Sequence, residues 1–480
     1  MLDKHLLPLL LASLFAASTA HAAIDLIAIG SVSGSYEDFA IETAGPLENG
    51  VPGNRLGGIG SGLAYAGCNT FFALPDRGPN AKPYNSAVDD TTSYIIRFQT
   101  FNLSLAPSDP GAALPFTLTP FLTATTLLWS RTPLSYGTGA GLGLDSGAPA
   151  LNTQYTNYFT GRSDNFDPNV LSSINPNNAR LDPEGIRVSG DGNSVFISDE
   201  YGPYVYQFNR ATGRRLKAFT LPSKFAVTNL SPVGATETNG NTSGRVANRG
   251  MEGLAITPDG QTLVGIMQGP LIQDQDGGTT VRIVTIDIAT GTTHEYAYTL
   301  TTGSGVSEIL AVNDHEFLVD ERDGNGLGDN SAAAAKTLYK IDLTGAQDVS
   351  NLSGSINLAP EAVSKSEFLD VVKALTDHGI GVRHIPAKLE GLAFGQDVVI
   401  NGVTKHTLYV ASDNDFTATT TVTEEGVAAT VDNPNQIFVF TFDDADLPGF
   451  VPQQIKAFSP LCPDGHGDKD DGEHFNDHHR

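Results

Sequence analysis

One unit recurs along this chain, and it limits the fold more than any other feature. Its best copy runs Asp182-Pro183-Glu184-Gly185-Ile186-Arg187-Val188, turns, and returns as Ser194-Val195-Phe196-Ile197-Ser198-Asp199-Glu200-Tyr201-Gly202. Met251-Glu252-Gly253-Leu254-Ala255-Ile256 and Leu389-Glu390-Gly391-Leu392-Ala393-Phe394 open two further copies. Weaker ones open at Ser61-Gly62-Leu63 and at Ser307-Glu308-Ile309, and end in Asp76-Arg77 and Asp320-Glu321-Arg322-Asp323. Ser61 to Asp76, Glu184 to Asp199 and Glu252 to Met267 are each 15 residues apart. Short runs rich in Val, Ile, Phe and Thr, joined by turn residues, read as antiparallel hairpins. A third strand follows each copy, and a fourth follows several. Four antiparallel strands repeated radially make a propeller blade.

The expectation is therefore an all-β chain folded as a β-propeller. The 51 Gly and 27 Pro agree with that class. Five visible units plus one hidden in the 123-residue gap between Ser61 and Glu184 predict six blades, or seven if Ile24 to Ser33 opens another. Ser135 to Asn178, rich in Gly, Asn and Ser, is expected to run over one face as a lid. One inserted helix is expected over 364–378. Ser364-Lys365-Ser366-Glu367 resembles a capping box, and Gly379 stands at the stop.

The ends carry processing and tail signals. Lys4, an apolar run and Ala20-His21-Ala22 predict an export signal over 1–22, cleaved between Ala22 and Ala23. The domain then spans 23–462, and the acidic, His-rich stretch 463–480 is expected to be disordered. An exported chain, periplasmic or extracellular, permits a disulfide between Cys68 and Cys462. No later apolar run is long enough to span a membrane. The formal charge of −26 argues against nucleic acid, whose phosphates need clustered Lys and Arg. An anionic small-molecule substrate needs something to screen that repulsion, and a bound divalent cation is the simplest device. Nothing in the sequence calls for an oligomer, so a monomer is expected.

Antiparallel pairing places the first Glu and the last Asp of each hairpin at the same end. Glu184, Glu252, Glu308 and Glu390 would then ring the channel mouth, with Asp76, Asp199, Asp320 and Asp413 one strand further out. Glu184, Glu252 and Glu390 are the candidate catalytic carboxylates, with His384 as a proton carrier near neutral pH. Asp76, Asp199, Glu308, Asp320 and Asp413 offer the hard oxygen ligands that suit Ca²⁺. Arg77, Arg180, Arg249, Arg322 and Lys388 are candidates for holding an anionic substrate. A second reading of any one Glu is structural, as a partner of neighbouring backbone or arginine. Asp320 to Gly326 fits either a Ca²⁺ loop or a solvated turn. Serine-nucleophile, zinc and P-loop motifs do not occur.

Asp182-Pro183-Glu184-Gly185, Met251-Glu252-Gly253-Leu254-Ala255 and Leu389-Glu390-Gly391-Leu392-Ala393, with Asp76-Arg77-Gly78-Pro79 and Ser198-Asp199-Glu200-Tyr201-Gly202, resemble the bacterial phytase-like family. It is also called "esterase-like activity of phytase". The resemblance runs from about Gly57 to Phe440. It implies an exported propeller that hydrolyses a phosphoester or ester. A Ca²⁺-dependent lactonase-like activity and a non-catalytic ligand- or protein-binding propeller are the alternatives.

Overall fold

Each repeat copy folds as the inner half of a four-stranded antiparallel sheet, and the described residues of the computed structural model form five such sheets, one of them extended by a short extra strand. The structure describes residues 24–80, 84–139 and 146–455. The expected cleavage site Ala22/Ala23, Cys462 and the tail lie outside these residues. Cys68 is not a free thiol.

The inner strands are Gly62–Tyr65, Pro183–Val188, Met251–Ile256, Gly305–Ala311 and Lys388–Phe394. They define blades one to five in chain order. Each packs on the inner strand of the next, and the fifth closes on the first. Asp25–Val32 pairs antiparallel with Asn435–Phe442 and so supplies the outermost strand of blade five. That pairing seals the ring with the N-terminal strand, so Ile24 to Ser33 does not open a seventh blade.

Among the described residues there is no sixth blade, because two other features fill the 123-residue gap. The outer strands of blade one, Arg97–Pro107 and Phe116–Leu127, are unusually long. The chain then packs between blades one and two, where Leu128, Leu134, Phe159, Ala179 and Leu181 join one core with Phe98, Tyr206 and Phe208. Phe159 anchors the stretch expected to run over one face into this wedge between the blades.

The expected helix over 364–378 is half strand. Lys365–Asp370 pairs with Lys336–Asp342 as the outer strand of blade four. The helix covers only Val371–Asp377, capped by Asp370, whose carboxylate accepts the N–H of Lys373. Sheet pairing outweighed the local capping signal.

The Gly after each repeat Glu has a packing reason. A Cβ on Gly185 would lie 2.7 Å from the Leu254 nitrogen, and one on Gly253 would lie 2.6 Å from the Ile309 nitrogen. A Cβ on Gly391 would meet the Leu63 nitrogen at 3.0 Å. In each case the obstacle is backbone of the next inner strand, which cannot rotate away. Gly253→Ala should therefore lower stability by about 1–3 kcal/mol, read from the denaturation midpoint.

Blade four departs from this pattern. The apolar residues Leu63, Ile186, Leu254, Ile309 and Leu392 occupy one equivalent rung, paired with Ala73, Ile197, Gly265, Val319 and Val410. Glu308 thus stands where the other blades carry Gly, and Ser307 stands where they carry Glu or Ser61. Glu308 is fully buried, and its Oε1 accepts the N–H groups of Leu254 and Ile309. Its Oε2 lies 2.9 Å from Nη2 of Arg187. Arg187 in turn donates to the carbonyls of Leu63, Ile186 and Ile309. This pair ties inner strands of four blades across the channel. At the far end the channel is crossed by the C-terminal segment: Val451 and Gln454 donate N–H to Val312 and Pro258 carbonyls, and Gln453 donates to Val188.

Candidate functional site

The site forms at the end of the channel where inner strands begin and second strands finish. A β-bulge lies at or beside the repeat Glu in blades two, three and five and takes in Ser307 in blade four. Bulges re-aim side chains, and here they bring Glu184, Glu252 and Glu390 to the mouth while the strands below stay in register. All three are buried. Ser61 and Ser307 complete the first ring, so its charge lies on three blades.

The returning strands add a second ring. Gln268 donates through Nε2 to Oε1 of Glu252 at 2.8 Å. Arg322 donates through Nε to Ser307 Oγ at 2.6 Å and through Nη2 to Oε1 of Glu390. Matching rungs place Asp76, Glu200, Gln268, Arg322 and Asp413 at one level. Asp182 sits across from Glu200, and Lys388 across from Asp413.

Two carboxylate triads result. Ligand oxygens of Asp76, Asp413 and Asp415 lie within 4.8 Å of one another, and so do those of Asp182, Glu184 and Glu200. Lys388 Nζ bridges Asp413 at 2.9 Å and Asp415 at 2.6 Å in the first. Arg77 Nη1 meets Asp182 at 2.7 Å in the second. Among the described residues the mouth therefore holds eight carboxylates, the six triad members with Glu252 and Glu390, against Arg77, Arg322 and Lys388.

Such crowding shows in the acidities. Burial, then Glu252, holds Glu184 well above the carboxylate range. Burial, Glu200 and Glu390 do the same to Glu252, and burial with Asp413 to Asp76. Burial pushes Glu200 up to about 7 and Asp413 up to about 6. A low-dielectric mouth cannot keep this many negative charges without protons or cations. Glu252 also has an oxygen, Oε2, that is buried and lacks a hydrogen-bond partner.

The donors fit a hard divalent cation: every candidate ligand is a carboxylate, as Ca²⁺ prefers, and no sulfur or imidazole is among them. Asp415 and Phe416 add backbone strain beside the first triad. Both adopt left-handed φ values, 51° and 54°, which non-glycine residues rarely hold. Asn414 enforces the turn by accepting the N–H groups of Gly58 and Phe416 and donating to the Asn433 carbonyl.

The phytase-like model described as esterase-like activity of phytase matches residues 54–416, most of the described structure. The chain belongs to the phytase-like family. A relative from Arthroderma benhamiae, described as an uncharacterized secreted protein, is 30% identical over 334 residues. That match covers 57% of this chain and 60% of the relative, so the chain spans less than two thirds of that protein's length. Among solved structures, the luciferin-regenerating enzyme aligns over 84% of this chain and 97% of its own, with 12% identity and a TM-score of 0.32. The periplasmic gluconolactonase of Pseudomonas aeruginosa aligns over 80% and 89%, with 11% identity and a TM-score of 0.31. At such scores neither bears on the reaction.

In this phytase-like protein the remaining sequence candidates lie as follows. Asp199 is buried, but its Oδ1 accepts the N–H groups of Asp182 and Tyr201, which shapes the turn carrying the second triad. Asp320 faces Arg322, Lys336, Glu390 and Glu308 one level below the mouth, and burial raises it to about 8. Glu308 belongs to the channel pair described above. Arg249 is exposed. His384 is half exposed and pairs with Glu424 of an outlying hairpin at 3.0 Å, so no described contact joins it to the mouth. The loop after Asp320 is a structural turn: Asp323 accepts from Lys336 and from the N–H groups of Ala334 and Ala335.

Arg180 lines a cavity of about 190 Å³ beside Arg77, with Arg245, Tyr201 and Glu237. Glu237 clamps Arg180 at 3.1 Å and Arg245 at 2.5 Å. Burial would raise this carboxyl, but Arg245, Arg180 and the Ser231 N–H outweigh it and bring it down to about 2. A depressed folded value stabilises above the unfolded value and loses that contribution as pH falls toward 2. Glu237→Gln should cost on the order of 3 kcal/mol at pH 7, and the gap should narrow below about pH 4.5. Urea denaturation at pH 7 and pH 3.5 measures it.

Proposed function

We propose that the protein is an exported, monomeric hydrolase that cleaves a phosphoester or carboxylic ester of a small anionic molecule at the mouth, assisted by a divalent cation. The observation that carries this reading is the buried excess of carboxylates over cations at one end of an otherwise closed channel. A purely structural collar would pair its acids, as Glu308 and Glu237 are paired. The secreted description of the relative agrees with export. No helix among the described residues is long and apolar enough to cross a membrane.

Either triad fits the cation by donor type. When bound, it would polarise the ester oxygen and lower the pKa of an attacking water. The chain's own groups do the rest. Arg77 and Arg322, each tethered to a carboxylate, orient the anionic oxygens of the substrate. Glu252, buried and with one oxygen free of hydrogen-bond partners, is placed to complete the cation's oxygen shell. The Arg187–Glu308 pair and the inner strands below exclude bulk water from beneath.

The test is turnover of phytate, simple phosphodiesters, carboxylic esters and lactones, each with Ca²⁺ and with chelator. Chelator-sensitive turnover of a phosphoester or ester is expected. No turnover of any of them, with stability unchanged by chelation, would overturn the reading. Turnover of lactones alone would move it to the lactonase alternative.

A further inference from the structure

The two triads are alike in donors but differ in what already occupies them. In the first, the Lys388 ammonium lies between Asp413 and Asp415, 2.9 and 2.6 Å from their oxygens. Asp415 in that triad is also open to water, its side chain 41% exposed. In the second, Asp182, Glu184 and Glu200 are all buried, and no lysine among the described residues reaches them. Among the described residues the basic group bonded to this triad is Arg77, and within the triad it bonds Asp182 alone, through a side-chain N–H and its backbone N–H. Each Asp182 oxygen keeps a second lone pair.

A second, independent observation points at this triad. Glu252 is 3% exposed, its Oε2 has no hydrogen-bond partner, and its carboxyl reaches the carboxyl of Glu200. Two buried carboxyls in contact require a shared proton or a cation between them. Glu252 thus adds a fourth acid to the side of the mouth where no described ammonium lies.

We propose that one divalent cation, Ca²⁺ by the chemistry of its donors, is held by Asp182, Glu184 and Glu200 with Glu252 as a further ligand, and that Lys388 serves the Asp76–Asp413–Asp415 triad as a built-in cation. This inference rests on the cation assigned to the mouth above, and it narrows that cation to one place and one equivalent. Four carboxylates, some bidentate, with water completing the shell, meet the six to eight oxygens that Ca²⁺ takes. The lysine gives the neighbouring triad a fixed positive charge that no chelator removes.

Calorimetric titration of the chelator-treated full chain with Ca²⁺ tests this without reference to turnover. The wild type should bind one equivalent. Glu200→Gln should weaken binding at least 100-fold, whereas Asp415→Asn should change it by less than about five-fold. Lys388→Met should bind two equivalents; Lys388→Gln is the substitute if that variant does not fold. Zero or two equivalents in the wild type, or binding lost in Asp415→Asn and kept in Glu200→Gln, would overturn the assignment. A single equivalent in both lysine variants would overturn the role of Lys388. One bound equivalent in a protein that hydrolyses nothing would remove the hydrolase reading and leave this one standing.

Discussion

Glu252→Gln should reduce turnover at least about 100-fold while making the chelator-treated protein more stable. The change keeps the shape of the side chain and its contact with Gln268, which can turn to suit an amide. It removes an anionic oxygen from the cation's ligand set, and with it the cation that polarises the ester and activates the water. It also removes a buried acid whose ionisation is opposed by burial, Glu200 and Glu390. A carboxyl with a raised folded pKa contributes fully below its unfolded value and loses that contribution as pH rises through the folded value. The variant's gain, about 1 kcal/mol, should therefore be present at high pH and absent near pH 3.5. With saturating Ca²⁺ the sign should reverse, because the wild type then gains binding energy that the variant lacks. Thermal unfolding with Ca²⁺ and with chelator reads both signs. A purely structural Glu252 would give a loss of stability in both conditions.

The second large effect is on stability alone. Glu308→Ala leaves Arg187 charged and buried and deprives the N–H groups of Leu254 and Ile309 of their acceptor. Breaking a buried pair by removing one partner costs about 3–5 kcal/mol. Arg187→Met should cost a similar amount, since it strands the carboxylate and releases three carbonyls on three blades. The double replacement should cost much less than the two single changes added together, because neither charge is then left alone. Denaturant midpoints of the three variants measure this, and chelator should leave the differences unchanged.

The contrast between Glu252 and Glu308 shows what the sequence could and could not reveal. Both appear as the Glu of a repeat copy, and spacing alone aligns them. In three dimensions Glu308 lies one rung further along its strand, because Ser307 takes the bulged place. A bulge adds one residue without changing the hydrophobic pattern, so the slip leaves no mark in the chain. The same slip made Asp199 stand for Glu200, and Asp320 for Arg322. Blade architecture was legible, since the hairpins, their third strands and the acidic ends all follow a period-two pattern. Blade number was not, because a long gap reads equally as a degenerate blade or as long strands with a packed wedge.

Asp182 and Asp415 were adjacent to residues that the repeat singled out, yet only the fold explains why they matter. Asp182 occupies a position filled by Gly250, Gly305 or Lys388 in other blades, so no repeated letter flagged it. Asp415 reaches the mouth through a left-handed turn that depends on Asn414. His384, by contrast, was chosen for its chemistry and its place upstream of Glu390. Its imidazole pairs with Glu424 of an exterior hairpin, so closeness in sequence did not become closeness in space.

The most direct test of the central claim is turnover of a phosphoester or ester by metal-depleted protein as Ca²⁺ is restored. Activity should rise with Ca²⁺ to saturation at one bound equivalent, and in Glu252→Gln it should stay at least about 100-fold lower. Activity undiminished by depletion, or a Glu252→Gln variant as active as the wild type, would contradict it.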